Sequence, residues 1–233
     1  MPMHPRLREL MDLLSDAQAR FESAQSSYRE SRARSQRETT REEWYDGAHY
    51  APCPFGLERL GLTPGTPLQH VPRGDARSHT CRYGLSRDGR VQVEQQFTEF
   101  SDRAYEEFWI HEDHRILTAR YDYYEPDKAL INVQTIFLEP GPAGLRAAAL
   151  VRWAQHGVAL EAYEYDDAIP NRLRRVHTAA REHFASNPPL AWMTTIDEPV
   201  YDAKGGLKQI DRTWEGGSRE RIYPEVSDPG ESP

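Results

Sequence analysis

The residue types best suited to chemistry sit in two histidine-bearing groups. His111-Glu112-Asp113-His114 puts two imidazoles and two carboxylates into one short stretch. Such a set can pass a proton between imidazole and carboxylate, or hold a cation. It is not H-E-x-x-H, whose helical spacing turns both histidines to one face. Lying between two apolar runs, it reads as the solvated tip of a hairpin, which leaves His111 and His114 as the candidate catalytic pair. Cys53, His70, His79 and Cys81 offer the thiolates and imidazoles of a tetrahedral structural zinc site. They lack the paired C-x-x-C or H-x-x-x-H spacing of a finger, so the sequence predicts no metal and no cofactor. Arg172, Arg174, Arg175, His177, Arg181 and His183 make a basic cluster that suits a phosphate or an acidic partner, or the chain's own carboxylates. Asp166-Asp167 and Asp197-Glu198 are adjacent carboxylates whose roles depend on geometry. No G-x-S-x-G, dinucleotide glycine fingerprint, P-loop or zinc-deaminase signature occurs.

These residues need elements to position them, and the clearest is a recurring strand–turn–strand unit. Tyr83 opens YGLSRDGRVQVEQQF, Trp109 opens WIHEDHRILTARY and Tyr201 opens YDAKGGLKQIDRTW. Each has an aromatic residue, a polar stretch rich in Asp, Gly or His, and then a β-branched or leucine-bearing run, the pattern of a β-hairpin. ALINVQTIFLE and LRAAALVRWA flank Pro140-Gly141-Pro142-Ala143-Gly144, another turn signal. Short strands joined by polar turns favour antiparallel pairing. The expectation is at least five such strands between Ser78 and Tyr223, with hairpin turns at Asp88-Gly89 and Gly205-Gly206.

The units resemble YD repeats, the hairpin modules of the Rhs family of bacterial shells. Tyr201-Asp202, Gly206-Leu207 and Ile210 carry the closest likeness; Asp88-Gly89-Arg90-Val91 and Asp113, Arg115 and Ile116 carry less of it. The resemblance covers a small part of the chain and implies shared hairpin pattern, not a shell.

The remaining segments frame the sheet. Leu7, Leu10, Leu14, Ala17, Phe21, Ala24 and Tyr28 recur at three- and four-residue steps, the seam of an amphipathic helix. This seam packs on its own domain or mates with a partner, including a second copy in a homodimer. Residues 1–48 are therefore assigned to a helical segment that runs on through SRARSQRETTREE. Residues 49–77 form a Pro/Gly-rich loop carrying Pro52, Pro54, Pro64, Pro67 and Pro72. Residues 78–224 form the sheet domain. A second amphipathic helix is predicted near 170–186, because Leu173, Val176, Ala180 and Phe184 share a helical face. The polar tail, 225–233, reads as disordered. The fold class is thus α+β: an N-terminal amphipathic helix, a large curved antiparallel sheet and one later helix.

Composition bounds the function. The chain has 233 residues, 38% hydrophobic and 28% charged, with a net charge of −8. That balance lacks the positive field of a nucleic-acid binder. Two cysteines build no disulfide framework, and no stretch has the ~18 apolar residues of a membrane span. No apolar signal-peptide core opens the sequence, so it reads as a cytoplasmic, bacterial protein. An acidic chain with an aromatic-rich sheet suits a protein-interaction module that covers a basic partner, as an immunity-type or accessory protein of a bacterial conflict system does. The alternative is a small-molecule binder or enzyme with a pocket on the sheet, lined by Trp109, Tyr121, Tyr123 and Trp153.

Overall fold

The computed structural model describes residues 3–124, 128–182 and 191–224. Among them, twelve strands form one antiparallel sheet in which each strand pairs with its neighbours in sequence: β1 (Arg41–Tyr45), β2 (Cys81–Leu85), β3 (Val91–Phe97), β4 (Ala104–His111), β5 (Arg115–Tyr121), β6 (Leu130–Gly141), β7 (Gly144–Ala154), β8 (Gly157–Tyr165), β9 (Leu173–Glu182), β10 (Met193–Tyr201), β11 (Leu207–Trp214) and β12 (Arg219–Tyr223). The edges β1 and β12 do not meet, so the sheet is open. The expected α+β class and curved antiparallel sheet stand. Gly89 (φ 81°) and Gly205 (φ 84°) turn two of the hairpins at the predicted places, with a backbone conformation that side-chain-bearing residues resist.

The amphipathic seam at the start of the chain is three helices rather than one: α1 (Pro5–Met11), α2 (Leu14–Ala24) and α3 (Tyr28–Glu38). They lie across one face of the sheet, α1 on β8 and β9, α2 on β6 and β7, α3 on β2 to β4. Leu7, Leu10 and Ala17 pack with Ala149, Val151, Leu160, Ala162 and Ala179. Phe21 and Tyr28 pack with Val93, Phe108, Tyr121 and Val133. The seam's large side chains are thus buried against the chain's own strands. Replacing Phe21 by Ala should lower the unfolding free energy by about 3–5 kcal/mol, the range for buried Phe→Ala, in urea melts. A variant with unchanged stability would contradict this packing. Among the described residues no helix is long and apolar enough to cross a membrane.

The helical reading of 1–48 overran. The chain leaves α3 at Thr39 (φ −73°, ψ 122°) and forms edge strand β1, which pairs with β2 from Arg41↔Leu85 to Tyr45↔Cys81. The β-branched Thr39-Thr40 pair and the aromatic Trp44-Tyr45 pair favour extended backbone.

The helix predicted near 170–186 is instead strand β9, with residues 183–186 outside the described residues. The helical spacing arose from two strand features. A bulge between β8 and β9 pairs Tyr165 with Leu173 but Glu164 with Arg175, which shifts the phase by one residue. Leu173 and Val176, three apart, therefore reach the same cluster. Ala179 then faces the helices, because β9 is covered on both sides.

The other side is covered by the Pro/Gly-rich connection between β1 and β2. It runs out from Tyr45 to a 3₁₀ turn at Glu58–Leu60 and returns, with Pro67 bridging back to Tyr45. The outward and return legs touch at Gly47 and Gly65, where any Cβ on Gly65 would lie 2.5 Å from the Gly47 carbonyl oxygen. Tyr50 packs on Tyr83 of β2, ring centroids 4.9 Å apart, while Cys53 already sits in the cluster around Tyr163 of β8. Three residues reach at most about 10 Å, whereas six strand spacings measure roughly 29 Å along the sheet. The sheet therefore curls around this strap, and the strap lies in the concave side. Glu107 of β4 and Gln134 of β6 agree, since their side chains meet at 3.1 Å across the intervening β5.

Candidate functional site

The tip of the strap inserts a charge into the concave face. Arg59, 6% exposed, donates Nε to Asp197 Oδ2 at 2.9 Å, Nη1 to Glu161 Oε2 at 2.8 Å and Nη2 to Thr178 Oγ1 at 3.3 Å. Gly61 ends the 3₁₀ turn with φ 77°, which lets the chain reverse after the arginine is delivered. Glu161, Thr178 and Asp197 occupy inward positions on β8, β9 and β10, so three adjacent strands hold one guanidinium. Arg212 on β11 grips the same Asp197 through both oxygens, at 2.7 and 2.9 Å, and donates to the Arg59 carbonyl. Tyr163 donates its hydroxyl to Glu161 at 2.5 Å. Burial pushes the Glu161 carboxyl up, but Arg59, through charge and hydrogen bond, and then Arg152 and Tyr163 outweigh it and hold it at about 2. The same carboxylates raise Arg59 despite its burial.

Above this floor opens a recess of about 270 Å³, lined by Arg59, Arg152, Glu161, Thr178, Arg212 and the apolar Leu60, Ala159, Ala180, Met193 and Trp214, with Cys53 at its edge. Arg152 on β7 donates Nε and Nη2 to the Gln134 amide oxygen and meets no carboxylate within ion-pair distance among the described residues. The lining itself carries three guanidinium groups and one carboxylate, Glu161, while Asp197 lies beneath Arg59 and Glu220 accepts from Trp214 Nε1 at the rim. Its rim is apolar and open: Leu60 is 71%, Met193 51% and Trp214 37% exposed. Burial pushes the Cys53 thiol up, opposite to the shift that activates a nucleophilic cysteine.

The residues singled out from the sequence are not brought together. Trp109 is buried on the concave face beside Tyr83 and Leu85. Tyr121 and Trp153 are on the helix face, where the Tyr121 hydroxyl donates to the Ala24 carbonyl at the end of α2 at 2.8 Å. Tyr123 follows β5 and stacks on Tyr124. The four therefore line no common cavity. His111 holds the Val91 carbonyl through Nε2 at 2.8 Å, while His114 is exposed in the β4–β5 turn. Cys81 is fully buried with Tyr45 and Tyr83, and Cys53 packs in a different cluster around Ile136 and Tyr163. His70 is exposed and His79 lies just before β2, so the four do not converge. Arg175 pairs with Glu198 at 2.9 Å, and Arg172 and Arg181 lie over Tyr201 and Trp192; Arg174 is exposed, His177 lies beside Glu164, and His183 is outside the described residues.

Sequence reasoning missed Arg59, Arg152 and Glu161. The available signal was Glu161, a charge flanked by Leu160 and Ala162 in an apolar strand; nothing in the Pro-rich segment marks Arg59 as its partner. No protein-family model matches the chain, and neither does any curated protein.

Proposed function

We propose that the chain is a protein-interaction module that captures an acidic group of its partner in the Arg59–Arg152–Arg212 recess, with apolar partner surface on Leu60, Met193 and Trp214. The observation that carries the reading is Arg152, a cation at a concave site with an amide for a partner and exposed apolar side chains around it. Arginine and tryptophan in a concave, partly desolvated setting are the residues that dominate binding energies at interfaces. The volume, 270 Å³, lies just under the roughly 300–1,000 Å³ of pockets for drug-sized ligands. It suits a single acidic side chain or terminal carboxylate. No histidine lines the recess and its cysteine is held as a thiol, which favours binding over catalysis. The reading keeps the interaction class expected from the sequence and reverses the expected sign of the partner: overall charge is acidic, but the recess is cationic.

The test is capture of partners from the source cell with wild-type protein and with an Arg152→Ala/Trp214→Ala variant, followed by affinity measurement on each captured protein. The pair should weaken a specific partner at least about tenfold, a loss near 2 kcal/mol being typical of interface anchors. Its association rate should fall as salt is raised. A partner bound equally by both proteins would sink the proposal.

A further inference from the structure

On the helix-bearing face, three side chains far apart in sequence converge. His4 precedes α1, Glu164 is near the end of β8 and His177 lies on β9. His4 Nε2 and His177 Nε2 each lie 3.2 Å from the same oxygen, Glu164 Oε1. The two rings stack with centroids 4.3 Å apart and planes 25° apart. All three ligating atoms fall within 4.8 Å of one another, and this is the only such group among the described residues.

We propose that His4, Glu164 and His177 form a two-histidine, one-carboxylate site for a divalent transition metal, zinc first, with an open coordination position toward the adjoining cleft. The spacing matches the chemistry. Zinc–nitrogen and zinc–oxygen bonds of about 2.0–2.2 Å place tetrahedral ligands roughly 3.3 Å apart, and two of the three separations are 3.2 Å. His4 stands before the helix, so a small shift of its ring closes the third side.

Independent features of the site want a ligand. His177 Nε2 is buried and makes no hydrogen bond, because its approach to Glu164 is close but poorly directed. Thr194, 7% exposed, has a buried Oγ1 with no partner, and it lines the same cleft as His4 and His177. That cleft, about 400 Å³, is bounded by Met3, Leu7 and Ile196, and leaves room beside His4 and His177 for a water or a small exogenous group. Of the arginines near the site, Arg8 lines the cleft and Arg175 is engaged by Glu198 at 2.9 Å. Metal at His4 Nε2 puts the proton on Nδ1 and so displaces the exposed 3.2 Å hydrogen bond from the Arg6 amide, a local cost at the start of α1.

The experiment uses the full chain without a polyhistidine tag, stripped with chelator and titrated with Zn²⁺ by calorimetry and with Co²⁺ by visible absorption. One metal per chain is expected, with a melting temperature that rises with free zinc as mass action requires. His4→Ala and His177→Ala should each weaken binding by more than the roughly 10–100-fold that loss of a merely supporting residue costs. Should His177→Ala fail to fold, His4→Ala, altered before the first helix, decides alone. Absence of stoichiometric zinc and cobalt binding overturns the proposal, as does binding of undiminished affinity in His4→Ala.

Discussion

Replacing Arg59 by Met should lower the unfolding free energy by about 3–5 kcal/mol, the cost of breaking a buried ion pair from one side. The loss falls unequally on its two carboxylates. Asp197, 0% exposed, keeps the bidentate grip of Arg212. Glu161 keeps the Tyr163 hydroxyl and the more distant Arg152, but loses the contact that overcomes its burial. A second substitution, Glu161→Gln, removes that stranded charge, so the double variant should recover much of the loss. Urea melts of the two single variants and the double close the cycle. If Arg59→Met and Arg59→Met/Glu161→Gln are equally destabilised, the stranded carboxylate is not the cause. The strap itself supplies a second readout. Its tip is fixed by Arg59, so protease should cut between residues 46 and 66 faster in Arg59→Met at a denaturant concentration where both proteins remain folded.

The sheet was legible from its turns, and the layers upon it were not. Asp88-Gly89 and Gly205-Gly206 need left-handed backbone and sit between apolar runs, so local chemistry alone locates those hairpins. Strand β9 was misread because alternation signals a strand only when one face meets water. With helices on one side and the strap on the other, Leu173, Val176 and Ala179 are all buried, and a bulge moves the first of them out of phase. The strap was legible as a Pro-rich loop but not as an inward layer, because its one inserted charge, Arg59, is specified by strands a hundred residues further on, with Glu161 at separation 102 and Asp197 at 138. The His4–Glu164 pair, separated by 160 residues, is invisible to any local pattern for the same reason. Trp109, Tyr121, Tyr123 and Trp153 show the converse: aromatic residues spaced along strands are distributed over both faces and a turn, and most serve packing.

Glu94 should make stability fall with rising pH across the neutral range, and Glu94→Gln should abolish that slope. Glu94 lies on the concave face of β3, 6% exposed, beside Glu107 of β4. Burial and the Glu107 charge push its carboxyl from the ordinary 4.5 up to about 8, against Arg120 and a hydrogen bond from Tyr83. Below about pH 4.5 both folded and unfolded chains carry the proton and the group has no effect on the balance. Between about 4.5 and 8 the folded chain keeps the proton while the unfolded chain releases it, so the unfolding free energy declines. Each pH unit in that window costs about 1.4 kcal/mol, giving an upper limit on the order of 5 kcal/mol by pH 8. Glu161 acts in the opposite direction but in a separate window, its contribution fading only as pH falls below about 4.5 toward 2. Urea melts at intervals from pH 5 to pH 9 should show wild type losing stability up to about pH 8 and levelling beyond it. Glu94→Gln, which keeps the shape without the charge, should hold nearly level and overtake wild type on the alkaline side. Parallel profiles would mean that Glu94 is ionised in the folded protein at neutral pH and that Arg120 outweighs its burial.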